Sequence, residues 1–230
     1  MTKKTDSNYV EWQDNFTTIA KPYSKYNNDN DNTTSICISA LNTKFADISE
    51  YNRIGLDLPT WININDKKPT IMFVAQDPLR SEYYDTCHDI IVSSPFGVQD
   101  KEHRNSRHGE VYFSIFSELV ENGYGVYLTD TNKFFLKSEN STNFTKNNIQ
   151  NYDEILRQEI EIVNPEIIVA FGKQAQHSVS KIDGDKRILY LIHPSGAARG
   201  HIKKEYDTFD CSNKKIAEIY ISKVLSLLTK

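Results

Sequence analysis

Cysteine is scarce in this chain. There are three, Cys37, Cys87 and Cys211, far apart and odd in number. Without paired spacing they support neither a disulfide framework nor a thiolate zinc site, and the reducing cytosol is the expected compartment. Long apolar runs are missing too: none approaches the ~20 residues that a membrane-spanning helix needs. The N-terminus, Met1-Thr2-Lys3-Lys4-Thr5-Asp6, has no apolar stretch behind its charges, so no secretory signal is expected. Nor is there an excess of positive charge. The formal net charge is −4 at pH 7, which argues against a general nucleic-acid coat protein, usually basic. A local basic rim is still enough to grip a few phosphates. No internal repeat is visible.

What is present is apolar and aromatic material for a core. The 230 residues are 38% hydrophobic and include 13 Tyr and 11 Phe. That is enough for one α/β domain, alone or with a long arm. Residues 27–34 are a polar, low-complexity stretch that reads as a loop. The segment before it, with Tyr9, Trp12, Phe16 and Tyr23, reads as helical. Residues 1–60 are therefore expected to be a helical or irregular extension packed on an α/β domain spanning 61–230.

From residue 69 the pattern sharpens. Four short apolar runs, 71–75, 126–128, 167–171 and 188–192, are rich in β-branched or aromatic residues and read as buried parallel strands. Helical periodicity lies between and after them. It covers 111–122 (Val111, Ile115, Phe116 and Leu119 on one side, Gly123 at the stop), 152–163, 173–181 and 216–228. Alternating strands and helices predict a three-layer α/β/α fold with a central, mostly parallel four-stranded sheet.

Ligands of such sheets bind beyond the carboxyl ends of the strands. The residues there are Gln76-Asp77-Pro78-Leu79-Arg80, Thr129-Asp130-Thr131-Asn132, Gly172-Lys173 and His193-Pro194-Ser195-Gly196. Asp77 and His193 together suit cleavage of a base–sugar bond. A carboxylate stabilises the sugar cation and orients a water, and an N–H donor stabilises the leaving base. Singly, Asp77 is as readily a helix N-cap and His193-Pro194-Ser195 a turn.

The segment 71–79, Ile-Met-Phe-Val-Ala-Gln-Asp-Pro-Leu, resembles the first motif of uracil-DNA glycosylases, an apolar strand followed by Gly-Gln-Asp-Pro-Tyr-His. Residues 191–200, Leu-Ile-His-Pro-Ser-Gly-Ala-Ala-Arg-Gly, are similar to their last motif. Residues 127–133 resemble the strand that ends in the base-reading Asn, and residues 167–175 the strand–Gly–helix step before the last motif. The likeness covers residues 69–205. It implies a DNA glycosylase in which Asp77 orients water and His193 stabilises the leaving base. It also implies that the backbone at Gln76 contacts the base, Phe96 stacks on it, and Ser195 touches a phosphate. Core packing is the plainer reading of Phe96. Arg80, Lys173 and Arg199 are candidates for a phosphate-gripping rim, alongside the reading that surface charges are simply solvated.

Three departures from the family pattern bear on the substrate. Asp130 stands where the family has the base-reading Asn; an ionised Asp only accepts, which suits the amino group of cytosine, whereas a protonated Asp, which requires a raised pKa, would still serve uracil. A turn residue pointing elsewhere is the plainer reading of Asp130. Leu79 replaces the Tyr that excludes 5-substituted pyrimidines. Gly196-Ala197-Ala198 lacks a bulky wedge residue, which favours single-stranded DNA or a distorted duplex as partner. The expected substrate is thus a 5-modified cytosine, such as glucosylated hydroxymethylcytosine in phage DNA, with an anti-phage defence role. The alternatives are a uracil-DNA glycosylase of base-excision repair, an inactive nucleic-acid-binding module, and a hydrolase of free nucleosides. Residues 100–110, with Lys101, His103, Arg104, Arg107 and His108, read as a mobile loop closing on DNA. The two histidines lack the carboxylate spacing of a metal site. Iron–sulfur branches of the superfamily use four cysteines, so no cluster, metal or other cofactor is expected, nor a membrane partner, and the chain is expected to be a monomer.

Overall fold

The computed structural model describes residues 34–37, 53–57, 59–62, 68–76, 89–98, 101–132, 134–137, 150–182 and 186–229. In chain order the strands are β1 (Thr34–Cys37), β2 (Arg53–Asp57), β3 (Thr60–Ile62), β4 (Thr70–Ala75), β5 (Asp89–Ser93), β6 (Gly125–Asp130), β7 (Phe134–Lys137), β8 (Ile167–Phe171) and β9 (Arg187–Leu191). The helices are α1 (Lys101–Arg104), α2 (Gly109–Glu121), α3 (Gln150–Val163), α4 (Gly172–Ser180), α5 (Arg199–Glu205) and α6 (Asn213–Leu228).

The four apolar runs become β4, β6, β8 and β9, side by side and parallel. The central sheet has five strands rather than four, in the order β3-β6-β4-β8-β9, because β3 adds an antiparallel edge against β6. β3 has only three residues, too few for alternation to show in the sequence. Ile71, Met72, Phe73 and Val74 of β4 are wholly buried, as expected for a central strand covered on both faces.

The period of two sorts the sheet's side chains into two cores. Ile71, Phe73, Val126, Leu128, Val169, Phe171 and Leu191 pack with Val111, Ile115, Phe116 and Leu119 of α2 and Ile216, Tyr220 and Val224 of α6. Met72, Val74, Tyr127, Ile168 and Ala170 face Leu156, Ile160 and Val163 of α3 and Ala175 and Val179 of α4. Burying each large apolar side chain contributes roughly 1.5–3 kcal/mol, so these cores fix the sheet. On the α3 side the buried carboxylate of Glu159 accepts a bond from Thr129 Oγ1 at 2.9 Å.

Helix ends follow local chemistry. α2 stops at Asn122, after which Gly123 takes a positive φ of 86°. α6 begins at Ser212, whose Oγ accepts from the Lys215 amide at 3.2 Å. Residues 101–108, expected to be a mobile loop, instead form α1 and a braced turn. A Cβ on Gly109 would lie 2.0 Å from the His103 carbonyl oxygen, and Arg104 Nη1 donates to the Val98 carbonyl at 2.7 Å. Glycine at 109 is what lets the turn close this tightly.

A second sheet, β1-β5-β2-β7, was not expected from the sequence. β2 pairs parallel with β5 and antiparallel with β7, and β1 pairs antiparallel with β5. Two of its strands thus come from the first 60 residues, and β7 begins four residues after Asp130. The helical reading of the aromatic segment around Tyr9 to Tyr23 lies outside the described residues. Among the described residues no helix is long and apolar enough to cross a membrane.

Candidate active site

Strand register brings the predicted clusters to one edge. Ala75 of β4 pairs with Asp130 of β6, Val74 with Ala170 of β8, and Phe171 with Leu191 of β9. The next residues, Gln76, Thr131, Gly172 and Ile192-His193, therefore leave the sheet together. The Gln76 turn is fastened to the Asp130 turn. The Gln76 carbonyl accepts from Thr131 Oγ1 at 2.8 Å and from the Asn132 amide at 2.9 Å, and the Thr131 amide donates to Ala75 O at 2.9 Å. Thr131 and Asn132 are buried. They hold the backbone one residue before Asp77, while Asp77, Leu79 and Arg80 themselves lie outside the described residues.

Asp130 is only 2% exposed. Alternation along β6 puts its side chain on the same face as Val126 and Leu128, the face covered by α2. Tyr112 of α2 lies there, 7% exposed. Its hydroxyl is 2.8 Å from Nε2 of His193, with the rings at 70°. Burial first, then Tyr220 and the Asp130 carboxylate, raise the Tyr112 pKa well above the usual 10, so the phenol stays neutral. The His193 pKa is lowered from its ordinary 6.5 by removal of part of the ring from water, then by the nearby His108. His193 as a residue nonetheless remains exposed.

The histidine is held from behind. Tyr220 donates its hydroxyl to the Ile192 carbonyl at 2.6 Å, and the Ser195 amide donates to His193 O at 2.8 Å.

Phe96 joins the same group. It lies in a single 3-10 turn, Pro95–Gly97, with φ of 60°, a left-handed conformation costly for a Phe. Its ring packs 4.8 Å from Tyr112, 5.2 Å from Phe116 and 5.8 Å from Phe171. Phe96 is thus part of the core wall, as the plainer reading held, and is half-buried rather than sealed. Backbone strain at a half-exposed aromatic is a mark of functional sites.

The remaining candidates fare differently. Lys173 is exposed at the first turn of α4, and Ser195 is half-buried, its carbonyl accepting from the Ala198 amide at 3.1 Å. Arg199 does not present its guanidinium to a phosphate: Nη1 donates to the Cys211 carbonyl and Nη2 to Asn213 Oδ1. It clamps the start of α5 to the residues leading into α6, and the expected phosphate contact is corrected accordingly. Asn213 continues the brace to Glu110 Oε2 at 2.6 Å and the Arg107 carbonyl at 3.0 Å. Among the described residues no His, Cys, Asp and Glu cluster would hold a metal ion.

Sequence reasoning missed Tyr112, and it placed Thr131 and Asn132 in the strand-end cluster without assigning them the fastening of the Gln76 turn. Tyr112 had no local signal, because its partner is 81 residues away.

A family model, the Uracil DNA glycosylase superfamily, matches residues 62–217. No curated protein matches the chain. Strands β1 and β2 fall outside the matched range.

Proposed function

The chain belongs to the uracil-DNA glycosylase superfamily, whose members are DNA glycosylases, and from that premise we propose that it extrudes a 5-substituted cytosine from DNA and hydrolyses its N-glycosidic bond. Asp77 orients a water that attacks C1′ of the sugar. The C1′–N bond breaks, its electron pair leaves with the base, and the proton of the water passes to the Asp77 carboxylate. His193, kept neutral, offers an N–H to the charge developing on the base. Phe96 stacks on the extruded ring.

The observation that carries the choice of base is Asp130, buried at the end of β6 beside Tyr112 and the Phe96 wall. An ionised carboxylate there accepts from the exocyclic amino group of cytosine and repels a uracil carbonyl. Leu79, smaller than the family's Tyr, supports room for a 5-substituent. The turn Gly196–Ala198, which carries no bulky wedge residue, supports a single-stranded or distorted DNA partner. Removal of a modified cytosine from phage DNA would make this a defence enzyme.

The test is a panel of oligonucleotides carrying one uracil, cytosine, 5-hydroxymethylcytosine or its glucosylated form, single- and double-stranded, assayed for alkali-labile sites. The expected result is cleavage at a 5-modified cytosine, with preference moving toward uracil in Asp130→Asn by roughly five- to 150-fold, the worth of one good base contact. Cleavage of uracil alone by the wild type overturns the assignment of the base.

A further inference from the structure

The direction of the Tyr112–His193 contact depends on the histidine tautomer, and the surroundings of the hydroxyl bear on it. Tyr112 cannot swing away: it is walled by Phe96 at 4.8 Å, Phe171 at 5.3 Å and Phe116 at 6.4 Å. Among the described residues, the only hydrogen-bond partner of its hydroxyl is His193 Nε2, at 2.8 Å. A buried O–H with one acceptor in reach places its proton in that bond, because an unmade bond costs the desolvation of the group. No described residue takes up His193 Nδ1, and His193 as a residue is exposed.

We propose that Tyr112 is a positioning residue for His193: its hydroxyl donates to Nε2 and so fixes the imidazole in the tautomer whose single proton is on Nδ1. The N–H offered to the leaving base is then Nδ1–H, and the ring is aimed by a helix rather than by its own turn. The proposal rests on the glycosylase reading of His193. The groups that set the charge of the pair are His108, just before α2, and Asp130 and Tyr220, which act on Tyr112.

The experiment is nitrogen-15 NMR of the full chain with labelled histidine, the His193 signals assigned by their loss in His193→Gln, together with kinetics of Tyr112→Phe. The expected wild-type spectrum shows Nδ1 protonated and Nε2 as a hydrogen-bonded acceptor. In Tyr112→Phe the Nε2 signal moves. The kcat falls by between about ten- and a thousandfold, a share of ordinary acid–base catalysis, with KM for DNA nearly unchanged. The acid limb of its pH profile moves upward, because Nε2 without its donor is more easily protonated. A wild-type spectrum with the proton on Nε2 overturns the proposal, as does a Tyr112→Phe enzyme with unchanged kcat and pH profile. The tautomer is read without turnover, so its answer stands apart from whether any base is cleaved, and the wild-type spectrum decides even if the variant does not fold.

Discussion

Arg199→Met separates a structural clamp from a phosphate contact. Methionine keeps the apolar stem and deletes the guanidinium that donates to the Cys211 carbonyl and Asn213 Oδ1. Hydrogen bonds to a charged group contribute about 1.5–3 kcal/mol each. Some of the guanidinium's own desolvation cost is recovered, so the net loss is about 3 kcal/mol. In a chain of this size each kcal/mol moves Tm by about 2–4 °C, which gives a fall of about 6–12 °C. The assay is a thermal melt of wild type and variant, paired with DNA affinity measured across a salt series. A clamp leaves the slope of log K against log salt unchanged. A lost phosphate contact lowers its magnitude by about 0.7 to 0.9. An unaltered Tm together with a shallower slope would refute the reasoning.

Gly109→Ala places a methyl 2.0 Å from the His103 carbonyl oxygen, so backbone must move; we expect a loss of about 2–4 kcal/mol, seen as a lower denaturant midpoint. Thr131→Val keeps the shape and deletes the donor to the Gln76 carbonyl. It should cost about 1 kcal/mol of stability and lower kcat more than KM, because Asp77 follows that carbonyl. The lowered His193 pKa means that activity is full above pH about 6.5 and falls only as pH drops through the lowered value. The stability linked to this group has the same sign, present above the unfolded value and lost as pH falls through the folded one. His108→Ala removes one cause of that lowering. Its acid limb should move to higher pH, and a limb that stays put would count against the pairing of the two rings.

The central sheet was legible because β4, β6 and β8 carry apolar runs buried on both faces, and the edge strand β9 an apolar run with Tyr190 exposed, that turns interrupt sharply. The helices over it were legible from the spacing of Val111, Ile115 and Leu119 and of Ile216, Tyr220 and Val224. The second sheet was not. Its strands are four or five residues long, and β1 lies at the edge of a polar stretch. What defines them is pairing with one another, which no local pattern encodes. The same distinction runs through the site. Asp130 and His193 were singled out because strand ends are where ligands bind, and the strand register brings those ends to one edge. Arg199 was misread because a basic residue after the His193 turn looks identical in sequence whether it grips a phosphate or a carbonyl. Tyr112 lay one position from the helix face that periodicity picked out, and its partner arrives only when the sheet assembles.

Asp77 decides the account. Wild type and Asp77→Asn should be compared on DNA carrying a single glucosylated 5-hydroxymethylcytosine, with abasic sites quantified after alkali and binding measured in parallel. We predict abasic sites with the wild type and a loss of at least about a hundredfold in the variant at unchanged affinity, the scale on which such a group contributes. A variant that cleaves as fast as the wild type, or a wild type that releases no base from any member of the panel, would contradict it.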